Sequence, residues 1–194
     1  MSDKPSYLGL LNAIAVGERG GEALFDAWAA ATPSDDVRCV LQTVALREGE
    51  HARAFAKRID ELGYTVRPKD DPDLPGRVAM ASSTTLTDCE KFERLGFSKE
   101  PAAGPDFFAR FFEDTSMDIP TTELMGRYVA EERDTGRRLR ACYALVKAAA
   151  PATNGMNGHA AVSSDLDDRL CRIETAIAEL ASKTDRALKL YKKK

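Results

Sequence analysis

The chain has 194 residues, 30% of them charged, with 31 acidic against 28 basic side chains and a net charge of −3. That length can bury one sizeable core with room for an appendage, and the near-balance of charge lacks the basic field that a nucleic-acid partner requires. No apolar run reaches the roughly 20 residues of a membrane span, and Met1 to Pro5 holds no apolar signal region, so a cytoplasmic chain without a membrane partner is expected.

Long helical patterns dominate, in chain order. The first helix is expected from about Ser6 to Ala31, stopping at Thr32-Pro33-Ser34-Asp35. There Ser34 or Asp35 can cap a second helix by accepting its free amide hydrogens. The second runs to about Leu62 and ends at Gly63, a usual left-handed terminator. Residues 66–76 hold Pro68, Pro72 and Pro75 and are expected to be non-helical. A third helix is expected from about Val78 to Phe97, broken by Pro101 to Pro105 and followed by a short aromatic helix around Phe107, Phe108, Phe111 and Phe112. A fourth spans about Pro120 to Ala150, and no segment alternates as a strand does. Residues 151–164 form a small, polar linker that carries His159, a solvated histidine. Beyond it, Leu166, Leu170, Ile173, Ile177, Leu180, Thr184, Ala187 and Tyr191 alternate by four and three. That is a heptad pattern, so residues 165–194 read as an amphipathic or coiled-coil helix that self-associates or docks on its own bundle.

The tight connection makes the first two helices antiparallel neighbours. The proline-rich stretch can span a helix of about 40 Å at about 3.3 Å per residue. The architecture expected is all-α, a four-helix bundle of residues 1–150 with one long crossover between helices two and three.

Acids lie where apolar residues belong. Val37, Leu41, Val44, Phe55, Ile59 and Leu62 share a stripe with Glu48 at about 100° per residue, and His51 falls one turn further along that face. Glu18 shares its stripe with Tyr7, Leu11, Ile14 and Phe25, and Glu132 shares its own with Met125, Tyr128, Leu139, Tyr143 and Val146. None of these stripes offers a Lys or Arg beside its acid. Buried carboxylates and an imidazole are costly unless satisfied, and a bound cation can be shared by several of them. Glu22, Glu50 and Glu131 fall off the stripes and read as solvated charges, Tyr128 and Tyr143 as core aromatics. On the third helix Glu90 is the candidate, sharing a face with Ala79, Ser83, Leu86 and Phe97, with Glu93 one turn on.

Residues 44–55 echo residues 128–139: Glu48 matches Glu132, Glu50 matches Asp134 and Arg53 matches Arg137, but Thr135 stands where a second histidine would. Glu18, Glu48-x-x-His51 and Glu132 together resemble the ferritin-like superfamily, nearest to its rubrerythrin branch, over about residues 6–150. The resemblance implies iron, or alternatively manganese, at a carboxylate centre. Glu18, Glu48, His51, Glu90 and Glu132 would be its ligands, with Glu48 and Glu132 bridging. Cys39, Cys89, Cys142 and Cys171 form no Cys-x-x-Cys, which excludes a rubredoxin domain, so a redox-active protein would draw on an external electron donor. Cys39, Cys89 and Cys142 fit as small buried hydrophobes.

Two functions follow from these residues. One is metal-handling or enzymatic: iron or manganese reacting with dioxygen or peroxide, in a chain that forms a homo-oligomer, such as a dimer. The other is a metal-free scaffold that binds or assembles through residues 165–191.

Overall fold

The computed structural model of the chain describes residues 4–99 and 107–150. They are all-helical: α1 (Leu8–Ala31), α2 (Asp35–Glu61), α3 (Leu74–Ala81), α4 (Asp88–Arg94), a 3-10 helix (Phe107–Phe112) and α5 (Ile119–Ala149), with no strand among them. The described residues all belong to one compact unit, residues 1–150. The expected linker and heptad helix lie outside the described residues.

The α1–α2 joint follows its sequence. Ser34 is the N-cap, its hydroxyl accepting from the Val37 amide at 3.4 Å, and Asp35 and Asp36 set negative charge in the first turn of α2. At the other end Gly63 takes φ +82°, and the Tyr64 amide reaches back to the Ile59 carbonyl at 3.1 Å. This is the six-to-one closure that a left-handed terminator permits.

The third helix departs from expectation. In place of one helix over 78–97, two short ones flank a break at residues 82–87. The hydroxyl-rich run Ser82-Ser83-Thr84-Thr85 supplies the reason, because its side chains bond the local backbone in competition with a helix. Ser83 Oγ accepts from the amides of Thr85 and Leu86, each at 3.2 Å. Thr87 then restarts the chain with a capping box: its hydroxyl accepts from the Glu90 amide at 3.2 Å while Glu90 Oε2 accepts from the Thr87 amide at 2.9 Å. Nor is the whole of 66–76 non-helical, since α3 begins at Leu74 and places Pro75 in the first turn, where a missing amide hydrogen costs nothing. Of the three described cysteines only Cys142 is buried; Cys39 is exposed and Cys89 half-buried.

The core is divided. One apolar cluster gathers Leu24, Phe25, Trp28, Val37, Leu41, Val44, Phe92 and Leu139. The other gathers Leu8, Leu11, Ile14, Phe55, Ile59, Met125, Tyr128 and Val129. Each cluster draws on opposite ends of α1 and α2, so those helices are antiparallel, and α5 runs with α1. Asp88 fastens α4 to the first cluster, accepting from Trp28 Nε1 at 2.7 Å and from the Thr32 hydroxyl at 2.6 Å. Between the clusters, each of the three long helices turns polar side chains inward: Glu18 from α1, Glu48 and His51 from α2, Glu132 and Thr135 from α5. None of the described helices is long and apolar enough to cross a membrane.

Candidate metal centre

Within that polar belt, Glu18, His51 and Glu132 each present a donor atom, and the three atoms lie within 4.8 Å of one another. His51 is the hub. Its Nδ1 lies 3.1 Å from Glu18 Oε2 and 3.5 Å from Glu132 Oε1, and its Nε2 lies 2.7 Å from Glu131 Oε2. Tyr128 donates its hydroxyl to the other Glu18 oxygen at 2.9 Å and sets its ring edge-on to the imidazole, 5.0 Å between centroids. Glu132 Oε1 is buried with no hydrogen-bond partner. An acceptor so placed is expensive to bury unless something positive reaches it.

The electrostatics agree with the geometry. Burial and the negative charges of Glu18 and Glu132, with a hydrogen bond to Glu18, push the Glu48 carboxyl up to about 9. Burial and the Glu18 charge likewise push Glu132 up to about 7, against His51 and Arg47. Burial by itself would lower the His51 imidazole, but its hydrogen bonds to Glu18 and Glu131 outweigh that and raise it. Burial and the same acids raise the Tyr128 phenol. The belt therefore holds more negative potential than its own basic groups cancel, which favours protons or a cation there.

Glu48 lies beside the triad rather than in it. Its carboxylate rests against α1 at Gly21, where a Cβ would fall onto Glu48 Oε2. The glycine is the reason this acid fits between the two helices. Glu90 is not brought to the cluster: its carboxylate closes the α4 capping box and meets Arg94 at 3.4 Å. Glu93 instead accepts from the Tyr143 hydroxyl at 2.8 Å.

Two participants escaped sequence reasoning. Glu131 is no solvated charge; it links His51 to Arg127, whose Nε donates to Glu131 Oε1 at 2.9 Å. The available signal was His51 itself, since a buried imidazole has two nitrogens to satisfy. Arg47 is the other. It crosses from α2 to α5, its Nη1 donating to Thr135 Oγ1 at 3.0 Å, Asp134 Oδ2 at 3.1 Å and the Glu131 carbonyl at 3.2 Å. Its charge is felt by Glu48 and Glu132, although among the described residues no Lys or Arg forms an ion pair with Glu18, Glu48 or Glu132. A cleft of about 260 Å³ beside the site reaches His51, Tyr128 and Glu131, with Arg53 and Arg127 also in its walls.

Comparison with protein-family models, curated proteins and solved structures returns no match.

The donor set fits a metal ion. One imidazole nitrogen and two carboxylates, with coordination positions left over, suit a first-row divalent ion such as iron or manganese better than the all-oxygen shell that calcium and magnesium favour.

Proposed function

We propose that the chain is a ferritin-like metal-binding protein in which Glu18, His51 and Glu132 hold iron, or manganese, with Glu48 as an additional carboxylate. In this reading α1, α2 and α5 are three helices of a four-helix bundle. The interrupted α3–α4 pair supplies the fourth, and residues 62–73 are the long crossover. The single observation that carries the metal assignment is Glu132 Oε1, buried without a hydrogen bond and facing His51, 3.5 Å away, and Glu18. Bound there, the metal would supply redox exchange with dioxygen or peroxide and Lewis acidity.

The protein's own part is to hold and to poise. Tyr128 fixes one Glu18 oxygen, leaving the other toward His51. Without a metal both ring nitrogens donate to carboxylates; with one bound, Glu131 would go on accepting from Nε2–H while Nδ1 gives up its proton and offers a lone pair to the ion. The cleft gives a small reactant a way to the imidazole edge. No side chain is assigned a catalytic role, and electrons would come from an external donor. The full chain is proposed to assemble as a homodimer through residues 165–191.

Purified protein titrated with iron or manganese should bind about one ion per chain or more, lost with Glu18→Ala or His51→Ala. A specific observation favours the scaffold reading: both His51 nitrogens and both Glu18 oxygens already have partners. Less than about 0.1 ion per chain after titration would establish that reading instead.

A further inference from the structure

We infer that Arg47 stands in for a second cation, so that this centre takes one divalent ion and not a pair. The inference rests on the metal reading above and specifies its nuclearity.

The internal echo between α2 and α5 has a spatial counterpart. Arg47 precedes Glu48 as Glu131 precedes Glu132, and His51 follows Glu48 at the distance that separates Thr135 from Glu132. Across the helix pair the equivalent contacts are both made: Glu131 to His51 at 2.7 Å, and Arg47 to Thr135 at 3.0 Å. One half of the belt is thus an acid holding an imidazole, a metal-ligand half. The other half is a guanidinium holding a hydroxyl. Arg47 is largely buried there, with 19% of its side chain exposed, and it is anchored by three acceptors. A guanidinium so anchored keeps its charge, because arginine does not deprotonate in proteins.

Charge balance leads to the same count. With a divalent ion bound and Glu18, Glu48 and Glu132 ionised, three negative charges meet three positive from the ion and Arg47, while Arg47's own ion-pair partner, Asp134 at 3.1 Å, is matched by Arg138 at 2.6 Å. Glu131 is matched separately by Arg127 at 2.9 Å. A second divalent ion would leave two surplus positive charges in a largely desolvated belt, where uncompensated charge is costly. It would also find threonine where an imidazole is needed, and a hydroxyl is a poor ligand for iron or manganese.

The test is Mn(II) titration of the full chain, read by loss of the free-ion paramagnetic resonance signal and by elemental analysis. The wild type should bind one Mn(II), and Arg47→Lys, which keeps the charge, should do the same. Arg47→Glu with Thr135→His, which copies the Glu131–His51 half, should bind two with the resonance of an exchange-coupled pair. Arg47→Met should still bind one, roughly tenfold tighter because a like charge has been removed; this variant decides the matter if the double variant fails to give a helical circular dichroism spectrum. Two ions in the wild type, one in a folded double variant, or unchanged affinity in Arg47→Met would each overturn the inference while leaving a metal site. Absence of any binding in the wild type would overturn the metal reading and this inference together.

Discussion

Gly21 shows how a single absent methyl group can hold a site open. The Glu48 carboxylate occupies the space that a Cβ at position 21 would take, and Glu48 is 93% buried between α1 and α2. In an ordinary helix interior, glycine to alanine gains roughly 1 kcal/mol. Here that gain is opposed by displacement of a packed acid, so Gly21→Ala should leave helical content unchanged and weaken metal binding about 10-fold or more, measured by competition titration. Glu131→Gln should weaken binding by a similar factor of about 10–100, because an amide no longer fixes the imidazole as a carboxylate does. That Glu18, His51 and Glu132 face one another was legible in the sequence, since each lies on an apolar stripe and polar residues there have few alternatives. Glu131 and Arg47 were not, because they sit at stripe edges and their partners belong to other helices. Periodicity places a residue on its own helix and says nothing of what a long side chain reaches across the gap.

At the level of elements, the long helices were legible to within a residue or two, because each carries an unbroken apolar stripe between plain stop signals. The α3–α4 segment was not: its apolar positions keep helical spacing through the hydroxyl run, and local side-chain bonds decide the outcome. Thr87→Ala removes one side of the α4 capping box and should cost about 1 kcal/mol. For a domain this size that is roughly 2–4 °C in Tm by thermal melt. The start of α5 carries a different lock. Asp118 caps it through the Thr121 amide at 3.0 Å and accepts from the Tyr7 hydroxyl at 2.6 Å and from Arg58 Nη2 at 2.7 Å, joining three helices. Burial tends to raise this carboxyl, but the hydrogen bonds outweigh it and hold the group well below the usual carboxylate range. A depressed folded value means that the ionised form stabilises the fold. The contribution is complete above about pH 4 and is lost as pH falls through the folded value. Asp118→Asn should therefore melt lower than wild type at pH 7, with the difference shrinking in melts below about pH 4.

For the molecule as a whole, both apolar clusters of the described residues are drawn from residues 7–146. A chain ending at Ala150 should keep the helical circular dichroism signal and a cooperative melt; loss of either would mean that the segment beyond completes the core. The polar belt gives the fold a second property. Trp28 is the chain's single tryptophan, fully buried and donating to Asp88 in one cluster, whereas Tyr7 and Tyr128 belong to the other. Indole emission therefore reports on the first half of the interior, and phenol absorption reports on the second once Tyr143, which packs against the first, and Tyr191 are replaced by phenylalanine. Denaturation followed at both wavelengths would reveal whether the two halves melt as one, or whether the layer of acids between them lets one loosen first.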